Sequence, residues 1–69
     1  MDVHRVERMA RDVIAECRFL CEFVAVHDRD GRWHITVRHD TRRIIHFDVT
    51  ARTPAGARAA IMASLRKEC

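Results

Sequence analysis

The chain has 69 residues, 48% of them hydrophobic and 33% charged, with a formal net charge of +3. This balance is typical of a folded globule and excludes a disordered tail, and the length allows one small domain, residues 1–69. No apolar run approaches the roughly 20 residues of a membrane span, and Asp2, His4 and Arg5 stand where a secretory signal would be apolar. We therefore expect a cytoplasmic protein without membrane association.

Three cysteines, Cys17, Cys21 and Cys69, agree with a reducing compartment. An odd number cannot close into pairs within the chain, and the Cys-x2-Cys spacing of zinc modules does not occur. We expect Cys17 to be a small buried apolar residue and Cys69 to be a free thiol at a frayed end.

The first predicted element is an amphipathic helix over about residues 3–19. Asp2 is placed to cap its N-terminus. Apolar residues at steps of three and four form one stripe of this helix, namely Val3, Val6, Ala10, Val13, Ile14, Cys17 and Leu20.

After this helix the apolar period changes to two, which predicts strands. A first strand over 21–27 leads to Asp30-Gly31, a dipeptide that tolerates the positive φ of a tight hairpin. The return strand, 33–38, and a third strand, 44–49, each alternate between an apolar and a more polar face. The middle of the chain is therefore predicted to be a three-stranded antiparallel meander.

A second helix is predicted to begin at Thr53-Pro54, because threonine is a good cap and proline suits the first helical position. Ala57, Ile61 and Leu65 form its apolar side. The predicted fold is α+β in the order αβββα, with both helices packed on the apolar face of the sheet.

A three-residue link, Asp40 to Arg42, sets the register of the second and third strands, because a one-residue slip would mix their faces. The predicted buried pairs are Val37 with Ile45, Ile35 with Phe47 and Trp33 with Val49. The predicted outer pairs are Arg38 with Ile44, Thr36 with His46 and His34 with Asp48.

The first strand is apolar on both sides between Phe23 and Val26. Strict alternation would therefore send either Phe23 and Ala25, or Val24 and Val26, to the outer face. Such an apolar patch could bind a protein partner or a second copy of the chain. The candidate docking residues on this face are Val24, Val26, His34, Ile44 and His46.

No pattern of residues typical of catalysis or metal binding is present. His34 and Asp48 could act as a base and its orienting carboxylate, but no serine or cysteine is placed as a nucleophile. The five histidines match no zinc spacing, and two glycines are too few for a phosphate-binding loop. We expect no enzymatic activity, no cofactor and no metal.

Arginine supplies all but one of the 13 basic residues, and its guanidinium suits bidentate contact with phosphate. The leading hypothesis is a nucleic-acid-binding module that uses arginines at the strand turns and at the start of the second helix. These residues are Arg32, Arg38, Arg42, Arg43, Arg52 and Arg58. The alternative is a protein-binding accessory or inhibitor protein, of the kind mobile elements carry, or a homodimer that docks through the outer sheet face.

The αβββα order at this length resembles the double-stranded-RNA-binding domain, and some small toxin-type ribonucleases share it. In the RNA-binding family a lysine cluster opens the last helix, where this chain has Thr53 to Arg58 with Arg58 as its one cation. The segment from Gly31-Arg32-Trp33 to Arg58 is also similar to the arm-type DNA-binding modules of phage integrases. Both resemblances imply a nucleic-acid partner and assign no role to any single residue.

Overall fold

The computed structural model describes residues 1–68 and confirms the αβββα order of an α+β fold. The expectation for Cys69 lies outside the described residues. No helix within residues 1–68 is both long and apolar enough to cross a membrane. The elements are α1 (Val3–Cys17), β1 (Cys21–Arg29), β2 (Arg32–His39), β3 (Ile44–Val49) and α2 (Pro54–Glu68).

Helix α1 begins and ends at two well-defined caps. The Arg5 backbone N–H donates to Asp2 Oδ1 at 2.9 Å, which confirms Asp2 as the N-cap. At the other end Arg18 adopts the left-handed conformation, with φ 55°, and this stops the helix at Cys17. Leu20, the last residue of the predicted apolar stripe, lies beyond the end of the helix and is 64% exposed, so its assignment to the stripe is wrong.

The hairpin between β1 and β2 turns at Asp30 and Gly31, whose φ angles are 53° and 76°. Two successive positive φ angles are the requirement of the two-residue turn whose twist matches antiparallel strands. The prediction that Asp30-Gly31 forms the tight turn of this hairpin is therefore confirmed.

A β-bulge in β1 overturns the expectation of strict alternation in that strand. Phe23 pairs with Val37, but the next pair is Ala25 with Thr36, so Val24 is an extra residue without a cross-strand partner. The bulge lets Phe23 and Val26 both face the helices. Val26 is 8% exposed, and its predicted role as an outward docking residue is therefore wrong.

The register of β2 and β3 is the predicted one in all six pairs, from Trp33 with Val49 to Arg38 with Ile44. The loop between them is closed by the His39 N–H, which donates to the Arg43 carbonyl at 2.8 Å. Arg42 has φ 69°, the left-handed residue that commonly ends a three-residue hairpin loop.

Helix α2 begins where the Thr53 hydroxyl accepts the Gly56 backbone N–H at 3.1 Å. Its Ala57, Ile61 and Leu65 are fully buried, as predicted. Helix α1 packs mainly on β1 and α2 on β3, so both cover the same face of the sheet. The core consists of Val6, Ala10, Val13, Val26, Ile35, Val37, Ile45, Val49, Ala57, Ile61 and Leu65.

Two isoleucines of the sheet provide a matched test of this one-sided core. Ile35→Val should lower the free energy of unfolding by about 1 kcal/mol, because Ile35 is fully buried and the missing methylene leaves a cavity. Ile44→Val, on the uncovered face at 50% exposure, should change it by less than about 0.5 kcal/mol. Urea denaturation measures both, and equal effects would contradict the assignment of faces.

Candidate nucleic-acid interface

Three segments that are distant in sequence meet at one end of the molecule. The Asp40 backbone N–H donates to the Leu20 carbonyl at 3.0 Å, joining the residues after α1 to the β2–β3 loop. Arg43 Nη2 donates to the Glu68 carbonyl at 2.8 Å, joining the same loop to the end of α2. Residues 18–20, 39–43 and 65–68 therefore form one continuous region.

This region, which we call the cationic end, is defined by Arg18, Arg42, Arg43, Arg66 and Lys67. Its carboxylates are Asp40 and Glu68, so its cations are in excess by three, the whole formal net charge of +3. Cations and carboxylates are equal in number over the rest of the chain. Within residues 1–68, none of the five cations forms an ion pair with a carboxylate side chain.

An open groove of about 950 Å³ lies beside the cationic end. Its lining includes the apolar side chains of Phe19 and Leu20, the cations Arg38 and Arg42, and the carboxylates Glu22 and Asp40. His39 Nδ1 is 2.8 Å from both Asp40 Oδ1 and Thr41 Oγ1. The loop that carries Arg42 is thus held in place by its own side chains.

The six arginines singled out in the sequence do not form one surface. Arg42 and Arg43 belong to the cationic end, and Arg38 borders the groove but forms an ion pair with Glu22. Arg32 and Arg52 lie at the opposite end of the sheet, beside the β1–β2 turn, and Arg58 forms an ion pair with Glu16 of α1.

Sequence reasoning missed part of the cationic end. Arg66 and Lys67 are recognisable as the basic last turn of α2, but nothing in the sequence places them beside the β2–β3 loop. The predicted helix includes Arg18, and its predicted apolar stripe includes Leu20, because the left-handed residue that ends the helix is Arg18 and no glycine signals it.

The outer face of the sheet carries a polar network between β2 and β3. His34 Nδ1 donates to Asp48 Oδ1 at 2.8 Å, and Thr36 Oγ1 lies 3.0 Å from His46 Nδ1. The two imidazoles are stacked, with centroids 5.3 Å apart and planes inclined by 16°. The predicted cross-strand pair of His34 and Asp48 is confirmed.

Apolar side chains border this network. Val24 and Ile44 are 49% and 50% exposed, so two of the predicted docking residues are accessible on the uncovered face. Among the described residues, no three histidine, cysteine, aspartate or glutamate side chains converge as metal ligands.

No family model, curated protein or solved structure matches this chain. The likeness to double-stranded-RNA-binding domains therefore rests on the order of elements alone.

The hydrogen bond from His34 lowers the pKa of the Asp48 carboxyl below its ordinary value of 3.8, and the more distant charge of Arg32 acts in the same direction. His34→Ala should return this pKa towards 3.8. Arg32→Ala, which leaves the hydrogen bond in place, should move it less. Carboxyl carbon chemical shifts followed through a pH titration measure both changes, and a larger effect of Arg32→Ala would refute the assignment.

The lowered pKa of Asp48 determines how its contribution to the free energy of unfolding changes with pH. The unfolded chain binds a proton at Asp48 more readily than the folded one, so the contribution is present above pH 3.8 and is lost as pH falls through the folded pKa. The difference in unfolding free energy between the wild type and Asp48→Asn should therefore shrink on acidification. Urea titrations at about pH 6 and pH 3 test this, and a constant difference would contradict it.

Proposed function

We propose that this protein binds nucleic acid through the cationic end. The observation that supports the proposal is that the whole formal net positive charge lies in one region, beside a groove lined in part by Phe19 and Leu20. Guanidinium groups that lack a carboxylate partner are available to phosphate oxygens, which they contact bidentately.

The apolar part of the groove favours a single strand over a duplex. Leu20 is 64% exposed and Phe19 is half-buried beside it, and such side chains contact the faces of unstacked bases. In a duplex those faces are stacked on one another and only groove edges and phosphates are presented. Arg42, the groove arginine that has no carboxylate partner within residues 1–68, would then contact the phosphate backbone while Phe19 and Leu20 contact bases.

The proposed activity is binding without catalysis. The histidine of the region, His39, has its Nδ1 already in contact with Asp40 and Thr41. We place the protein in the cytoplasm, because an odd number of cysteines suits a reducing compartment and nucleic acid is abundant there.

The proposal predicts binding that weakens steeply with salt. A fluorescein-labelled single-stranded oligonucleotide of about 12 nucleotides should bind at low ionic strength, and Arg42→Gln with Arg66→Gln should weaken it. Loss of two phosphate contacts should reduce the slope of log K against log salt by about 1.4, since each contact with a single strand contributes about 0.7. Fluorescence anisotropy measures the affinity and the slope.

The matched control is Arg29→Gln with Arg52→Gln, which makes the same charge change near the opposite turn. Both control arginines are exposed and, within residues 1–68, form no ion pair with a carboxylate. Equal losses in the two double variants would show that net charge alone drives binding. No binding to single-stranded DNA or RNA at low salt would refute the proposal, and preference for duplex RNA would refute its single-stranded form.

Protein docking through the outer sheet face is the second candidate function. It is favoured by the exposure of Val24 and Ile44 on a face that neither helix covers. Val24→Asp and Ile44→Asp should abolish capture of such a partner while leaving oligonucleotide binding intact. Capture of a partner that survives both changes would contradict this second candidate, and loss of oligonucleotide binding in these variants would contradict the cationic end.

A further inference from the structure

Strand β3 is an edge of the sheet with open backbone groups. The His39–Arg43 pair is hydrogen-bonded, and such pairs alternate along an antiparallel ladder. The N–H and C=O groups of Ile44, His46 and Asp48 therefore point away from β2. Apart from the strand ladder, these groups form no backbone hydrogen bond with any residue of the described chain, 1–68.

The two edges of the sheet differ in how they resist pairing. Natural edge strands are protected by bulges, charges, proline or short length. Strand β1 has the bulge at Val24 and ends in Asp28 and Arg29. Strand β3 has no bulge, no proline, no lysine and no arginine, and its one charged residue, Asp48, is hydrogen-bonded to His34.

We propose that two copies of this chain pair antiparallel through β3, with the two-fold axis at Phe47, to form one six-stranded sheet. In this register His46 of each copy lies opposite Asp48 of the other, in a hydrogen-bonded backbone pair. Ile45 of each copy lies opposite Val49 of the other. The proposal does not depend on whether the cationic end binds nucleic acid.

The side chains that meet on the outer face are complementary in detail. Asp48 uses Oδ1 for His34, while the nearest cation to its Oδ2, Arg32 Nη1, is 3.9 Å away and so beyond hydrogen-bond distance. His46 has its Nδ1 3.0 Å from Thr36 Oγ1. If the Thr36 hydroxyl donates to His46 Nδ1, that nitrogen carries no proton, and the ring proton is on Nε2. Each copy therefore offers one imidazole donor and one carboxylate acceptor to the other.

Other registers lose this complementarity. A shift of two residues in one direction brings Asp48 opposite Asp48 of the second copy, which is repulsive. A shift of two in the other direction brings His46 opposite His46 and Ile44 opposite Asp48. A shift by one residue would set the apolar face of one sheet against the polar face of the other. The axis at Phe47 is the register that pairs the imidazole donor of each copy with the carboxylate acceptor of the other.

The side of the molecule next to β3 leaves room for a second copy. Helix α2 lies over β3, and its Arg58 faces α1 through Glu16. Helical geometry therefore turns Gly56, Ala60 and Ser64 away from α1, towards the β3 edge. These three side chains are small, so the two copies of α2 can approach. On the same face Phe47, half-buried in the monomer, would be covered by its symmetry mate.

The test compares His46→Glu with the matched variant His27→Glu, by sedimentation equilibrium over a range of protein concentration. Both changes put a glutamate on the outer face, but His27 belongs to β1 at the far edge. Because His46→Glu creates two like-charge pairs across the axis, it should raise the dimer dissociation constant about tenfold or more. His27→Glu should leave it within about twofold. Circular dichroism checks that both variants are folded.

Amide hydrogen exchange on the wild-type protein gives an independent reading. The amides of Ile44, His46 and Asp48 should exchange more slowly as protein concentration rises, whereas the β1 edge should not change. A strictly monomeric chain at millimolar concentration would overturn the proposal. So would a dimer that Val24→Asp weakens and His46→Glu does not, since that result would put the interface on the outer face.

Discussion

The whole structure depends on one constraint: within residues 1–68 both helices cover the same side of a single sheet. The two helices bury Ile35, Val37 and their neighbours on one face, and the fully buried residues form a single cluster there. No helix or strand within the described residues covers the other face or pairs with the outer edge of β3. The outer face and the β3 edge are accessible to a partner because of this one-sided coverage.

The bulge in β1 reconciles this constraint with an apolar strand. With strict alternation, two of the four residues from Phe23 to Val26 would face solvent together with Ile44. One extra residue at Val24 turns Phe23 and Val26 inward, so that the outer face receives Val24 and the small Ala25, which lies opposite Thr36. The same irregularity disturbs the hydrogen-bonding edge of β1, so it protects one side of the sheet while β3 stays open.

The fold could be predicted because each element carries its own local signal. Asp2, Asp30-Gly31 and Thr53-Pro54 mark boundaries through capping and turn chemistry, and the link Asp40 to Arg42 fixes the register of β2 and β3. The bulge could not be predicted, because Phe, Val and Ala leave open which residue is extra. The cationic end could not be predicted as a unit, since it is assembled by the contacts of Asp40 with Leu20 and of Arg43 with Glu68.

Two of the three non-glycine residues with positive φ, Arg18 and Arg42, belong to the cationic end. A side chain in that conformation costs roughly 1 kcal/mol or more, which glycine would largely avoid. The free energy of unfolding of a small domain is of the order of 5 kcal/mol, so the strain of two such residues is a large fraction of it. Replacing either arginine by glycine should therefore raise the stability of the fold but remove a positive charge from the cationic end. Selection for higher stability and selection for charge act in opposite directions at these two positions.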